Sequence, residues 1–137
     1  MRLTLLGALA LAVVVSGCSK DNPTAPSANV PFSTVDVRVG TGAEATTGRG
    51  ASVNYSGYLY SATAAENKGT PFDAGNFAFT VGTGVIPGFS QGVQGMRVGG
   101  IRRVIIPPNL GYGAQGSPPA IPGNATLVFD IELLAVQ

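Results

Sequence analysis

Residues 69–89, GTPFDAGNFAFTVGTGVIPGF, set four phenylalanines around one charged side chain, Asp73. A carboxylate placed directly after Phe72 in such surroundings must find hydrogen-bond partners or keep contact with water, because an unpaired charge is costly to bury. Its plainest role is that of a turn acid capping the loop behind it. The chemistry it can join is limited by what the chain lacks. Histidine is absent from all 137 residues, which excludes Ser-His-Asp and Cys-His catalysis and every His-ligated metal centre. Cys18 is the only cysteine, so there is neither a disulfide nor a Cys-based metal site. Any reaction at Asp73 must proceed without a strong nucleophile and without an imidazole.

The segments around Asp73 read mostly as strands. Val35, Val37 and Val39 alternate with Asp36 and Arg38; Val53, Tyr55, Gly57 and Leu59 share one face; Phe77, Phe79 and Val81 repeat the period. IRRVII is a strand stopped by Pro107 and Pro108, and Leu127, Phe129, Ile131 and Leu133 fall on one side of the last run. One segment follows a different period: Phe89, Val93 and Met96 fall at i, i+4 and i+7, with Gly99 and Gly100 as the stop. Gly92 and Gly95 weaken that helix in isolation, so packing must hold it. The class is α+β: a five- or six-stranded antiparallel sheet wrapped around one short helix. Two Gly- and Pro-rich segments, 61–71 and 109–124, are expected as long loops that carry function.

Ahead of this domain the chain opens MRLTLLGALALAVVVSGCSK, with Arg2, an apolar run from Leu3 to Val15 and small residues before Cys18, the layout of a secretory signal. The run is shorter than the ~20 residues that span a bilayer. VSGC resembles the bacterial lipobox, which implies cleavage after residue 17, lipidation of Cys18 and a membrane tether. Ser19 and Lys20 after the cysteine favour, by analogy, an outer membrane facing the periplasm. The expected organisation is a signal over 1–17, Cys18 with a Pro-rich linker over 18–31, and one domain over 32–137. Without Arg2 the mature chain holds seven Lys and Arg against seven Asp and Glu. That balance lacks the basic footprint of a nucleic-acid binder.

Five blocks, VNYSGYL, PFD, FAFTVGTGVIPGF, GYGAQG and IPGNATLVFDIELL, resemble in order and spacing the FKBP-type peptidyl-prolyl cis-trans isomerases, the family inhibited by the macrolide rapamycin. The resemblance covers about residues 32–137. It implies the FKBP-like fold, no cofactor, proline-containing polypeptides and macrolides as partners, and a pocket carried by specific positions. Asp73, Tyr112 and Tyr55 take the catalytic places. Phe72, Phe77, Val85, Ile86, Phe89, Ala120, Ile121 and Phe129 take the substrate-binding ones. Read without it, Val85, Ile86 and Phe129 are core, and Tyr55 and Tyr112 are amphipathic residues at a sheet edge. Three positions depart from the family pattern: Phe89 stands where tryptophan is usual, Ser117 where histidine is common, and Ala120 where a larger aliphatic sits. The last two imply a smaller lid.

A prolyl isomerase suits a chain without a nucleophile. Peptide-bond rotation breaks no bond, and its barrier of roughly 18–20 kcal/mol is amide resonance. The resemblance implies an enzyme assisting folding of exported proteins. The alternative is a peptide-binding module or chaperone with the same fold and little isomerase activity. No segment reads as a dimerisation arm, so a monomer is expected.

Overall fold

The computed structural model describes residues 30–137. The expected signal, Cys18 and all but the end of the linker lie outside the described residues. Five strands, β1 (Ser33–Arg38), β2 (Gly50–Tyr60), β3 (Lys68–Thr80), β4 (Ile101–Ile106) and β5 (Leu127–Val136), form one sheet in the order β1-β4-β5-β2-β3. All neighbours are antiparallel. A single α-helix, α1 (Pro87–Val93), lies against the sheet, and 3-10 turns occupy Ala65–Asn67 and Pro108–Leu110.

Alternation builds the core. Ala51 and Val53 of β2, Val104 and Ile106 of β4, and Leu127, Phe129, Ile131 and Leu133 of β5 are buried together with Phe89 and Val93 of α1. Because β5 has a strand on each side, its outward Val128 is buried as well. Pro87 starts the helix with its φ already set and no N–H to satisfy. Gly88 and Gly92 then let α1 approach β4 closely. A Cβ on Gly88 would stand 2.5 Å from Ile106 Cγ2, and one on Gly92 2.7 Å from Val104 Cγ2. The glycines that weaken the isolated helix are thus what seats it.

Three expectations change. Val35, Val37 and Val39 are 59%, 51% and 71% exposed and join no core stripe. They belong to an edge strand and the turn after it, with β1 separated from β5 by β4, and a bulge between Asp36 and Arg38 breaks the alternation. Side-chain ion pairs fasten the strand instead, Asp36 to Arg102 at 2.7 Å and Arg38 to Glu132 at 3.3 Å. The helix ends at Val93, so Met96 is buried from a turn in which Gly95 takes φ +88°. The Met96 carbonyl accepts the Ala45 N–H at 2.8 Å and the Gly95 N–H donates to the Ala45 carbonyl at 2.8 Å, which ties that turn to the 40–48 loop. Finally, residues 68–71 of the expected 61–71 loop are the start of β3.

Candidate active site

The concave side of the sheet and the first turn of α1 enclose a cleft of about 220 Å³ lined by Tyr55, Phe72, Asp73, Phe77, Gly84, Val85, Ile86, Phe89, Tyr112 and Phe129. Each element contributes for a local reason. Register pairing of Tyr55 with Gly75 and of Gly57 with Asp73 brings β2 and β3 side chains to one wall. Gly57 has to be glycine there, since a Cβ would lie 2.7 Å from the Phe72 ring and 2.9 Å from that of Phe129. The tight 82–86 turn presents Gly84, Val85 and Ile86, and the Ser90 hydroxyl fixes its start by accepting the Gly82 N–H at 2.6 Å.

Phe89, 3% exposed, is the floor. Its ring meets Phe129 edge-on at 5.2 Å, Tyr55 edge-on at 6.0 Å, Phe77 at 5.6 Å and Phe79 at 5.7 Å. Aromatic pairs of this kind contribute ~0.5–1.5 kcal/mol each beyond their buried area, so the floor is rigid as well as apolar. Phe79 itself stacks on Phe77 at 5.4 Å, behind the cleft wall.

Asp73 is exposed at the rim, and both its oxygens are held. The Tyr55 hydroxyl donates to Oδ2 at 2.7 Å and the Ala74 N–H donates to Oδ1 at 2.9 Å. Burial, with the bond to Asp73 and its negative charge adding to it, pushes the Tyr55 phenol up to about 12, so the hydroxyl stays a donor at any ordinary pH. Tyr112, 40% exposed, stands at the rim with no hydrogen-bond partner for its hydroxyl among the described residues. The cleft thus offers an apolar floor, one fixed carboxylate and one available hydroxyl donor. It contains no cluster of metal-ligating side chains among the described residues.

Nine of the ten lining residues are ones the sequence pointed to. Ala120 and Ile121 are not brought to the wall. Ile121 is 4% exposed in the core, and Ala120 is exposed on the loop tip. Mutual backbone bonds between Ser117 and Ile121, 2.8 and 3.0 Å, close that tip into a turn that directs Ile121 inward. Gly84 was missed; its signal is the TGV turn that its φ of +81° requires. Cys18 lies outside the described residues.

Comparison with known proteins agrees with this geometry. The family model described as FKBP-type peptidyl-prolyl cis-trans isomerase matches residues 42–134. Peptidyl-prolyl cis-trans isomerase FKBP2 of Mus musculus is 51% identical over 75 residues, 50% of this chain and 54% of that protein. FK506-binding protein 2 of Dictyostelium discoideum is 51% identical over 72 residues, 52% of this chain and 50% of its own. The chain therefore spans about half the length of these curated relatives. Among solved structures, a Pseudomonas syringae peptidyl-prolyl cis-trans isomerase superposes with TM-score 0.66 at 30% identity, over 77% of this chain and 75% of that one. Escherichia coli FkpA does so with TM-score 0.65 at 36% identity, over 77% and 48%. With its five-stranded antiparallel sheet, short helix and aromatic cleft, the chain belongs to the FKBP-type peptidyl-prolyl cis-trans isomerase family.

Proposed function

We propose that the protein accelerates cis-trans rotation about X–Pro bonds in polypeptides, by binding them non-covalently in the aromatic cleft. The observation that carries this reading is the pairing of a buried aromatic floor, Phe89, with a single carboxylate fixed by Tyr55 at 2.7 Å. Uncatalysed, the bond isomerises over tens to hundreds of seconds, though cis and trans differ by only about 0.5–1 kcal/mol. The planar amide is more polar than the twisted one, so water favours the ground state. Moving the amide onto Phe77, Phe89 and Phe129 removes part of that solvation. The floor holds the proline ring while the preceding carbonyl turns, Tyr112 donates to a substrate carbonyl, and Asp73 faces the rotating group. The same apolar surface suits macrolides such as rapamycin.

The test is exchange spectroscopy on a short X–Pro peptide with catalytic amounts of the protein, with and without rapamycin. Fast exchange that the macrolide blocks is the expected result. A folded sample that binds the peptide without accelerating exchange would assign the fold to a peptide-binding module instead.

We further propose that the chain is exported and anchored through lipidated Cys18, at an outer membrane facing the periplasm, with proline-containing exported proteins as its substrates and a monomer as the working form. The VSGC motif and the run from Leu3 to Val15 support this. Among the described residues no helix is long and apolar enough to cross a membrane; in this proposal the acyl chains on Cys18 supply the attachment. Mass spectrometry of the mature N-terminus tests it directly: acylation of Cys18, and release of Cys18→Ala from the membrane fraction, are expected.

A further inference from the structure

Residues 30–137 contain six acidic and six basic side chains. Five of the acids are ion-paired: Asp36 with Arg102, Glu44 with Arg97, Glu66 with Lys68 and Arg103, Asp130 with Lys68 and Arg103, and Glu132 with Arg38. Asp73 is the sixth, and among the described residues no cation lies within 4.0 Å of it. Among the described residues it is also the only charged one lining the cleft. Its bonds to Tyr55 and Ala74 use two acceptor positions of a carboxylate that has about four, and its exposure leaves the others open to solvent. A single uncompensated charge beside low-dielectric aromatic walls acts on whatever enters the cleft, because those walls focus its field. The described residues are balanced in charge, so this field is local to the cleft.

We propose that Asp73 forms a cation subsite that selects substrates by charge: segments with Lys or Arg beside the proline are turned over in preference to segments with Asp or Glu there. This rests on the isomerase reading and adds to it a substrate class. The surroundings oppose nothing to it. The remaining lining groups are aromatic, aliphatic or glycine, with Tyr55 and Tyr112 as neutral donors. A basic side chain meets an oxygen already oriented by two donors, and an acidic one meets repulsion with no nearby cation to relieve it.

The experiment measures kcat/KM by exchange spectroscopy for three peptides that differ only beside the proline, carrying Lys, Ala or Glu, at low ionic strength and in 1 M salt. At low salt the Lys peptide is expected to exceed the Glu peptide at least about fivefold, the scale of one charge pair near 4 Å in water. In 1 M salt the Debye length falls to about 3 Å and the ratio is expected to collapse. Gly75→Arg supplies the missing cation next to Asp73. Gly75 lies outside the cleft lining, and a Cβ there meets only the Tyr55 ring edge and hydroxyl, at 3.9 and 3.8 Å. Because it engages Asp73 itself, that variant is read by the ratio alone: the Lys-to-Glu ratio is expected to fall near one, whatever the rate on the Ala peptide. Acceleration of all three peptides by the wild type with equal kcat/KM would overturn the cation subsite. Failure to accelerate the Ala peptide would instead overturn the isomerase reading, so the two failures are distinguishable.

Discussion

At the residue scale, the proposed isomerase mechanism gives the holding of the proline and the turning of the carbonyl to different side chains. Phe89 touches four other rings and is almost wholly buried, so Phe89→Ala is expected to cost ~3–5 kcal/mol of stability and to weaken both binding and turnover, checked by urea unfolding and by kinetics on the folded fraction. Asp73→Ala removes an exposed group, and is expected to lower kcat more than it raises KM while leaving the unfolding midpoint nearly unchanged. Tyr55 has its own pH signature. Its phenol is raised in the fold from 10.0 to about 12, so the protein binds that proton more tightly than the unfolded chain does. The associated stability is complete below pH 10 and is lost as pH rises toward 12. Tyr55→Phe is expected to flatten the stability profile in that window. Asp73 stood out in the sequence as an acid set among aromatics, whereas the other lining positions came from the resemblance of five sequence blocks to the family and read on their own as core or sheet edge. Ile121 was not, since its direction depends on a backbone turn between Ser117 and Ile121 that side-chain types do not encode.

At the scale of elements, the decisive contact is α1 against β4. Alanine is the better helix former, by about 1 kcal/mol over glycine, yet Gly92→Ala is expected to destabilise by about 1–3 kcal/mol because its Cβ meets Val104 at 2.7 Å. A double-mutant cycle with Val104→Ala checks the cause: the paired variant is expected to be more stable than the two single losses predict. The same contact explains why the helix was legible in place but not in length. The stripe from Phe89 through Met96 marks a buried face. Packing on Val104 and Ile106 keeps it buried, and the chain leaves helical geometry after Val93 without exposing Met96. Period-two alternation was equally informative for β2 and β5, which the sheet covers, and misleading for Val35, Val37 and Val39, where no element lies over the edge.

At the scale of the molecule, a charged cluster on the outer face joins distant parts of the chain. The Asp130 carboxylate is opposed by burial but held below its ordinary range by a two-point contact with Arg103 at 2.8 and 3.3 Å and by Lys68. The sign follows. An acid lowered in the fold stabilises above its unfolded value, near 3.8, and that contribution fades as pH falls below it. Asp130→Asn is expected to lower stability near neutrality by about 1–3 kcal/mol and to reduce the loss on acidification, measured by urea midpoints from pH 7 to 3. The strand order, β1-β4-β5-β2-β3, also governs when the fold can form. The strand that joins β4 to β2 is β5, the last of the five in chain order, so a nascent domain has a β2–β3 hairpin and a detached β1–β4 pair with nothing between them. The five-stranded sheet therefore cannot close until residues 127–136 are available, so its central pairings, β5 with β4 and with β2, come last in chain order and the sheet forms as one late event instead of strand by strand.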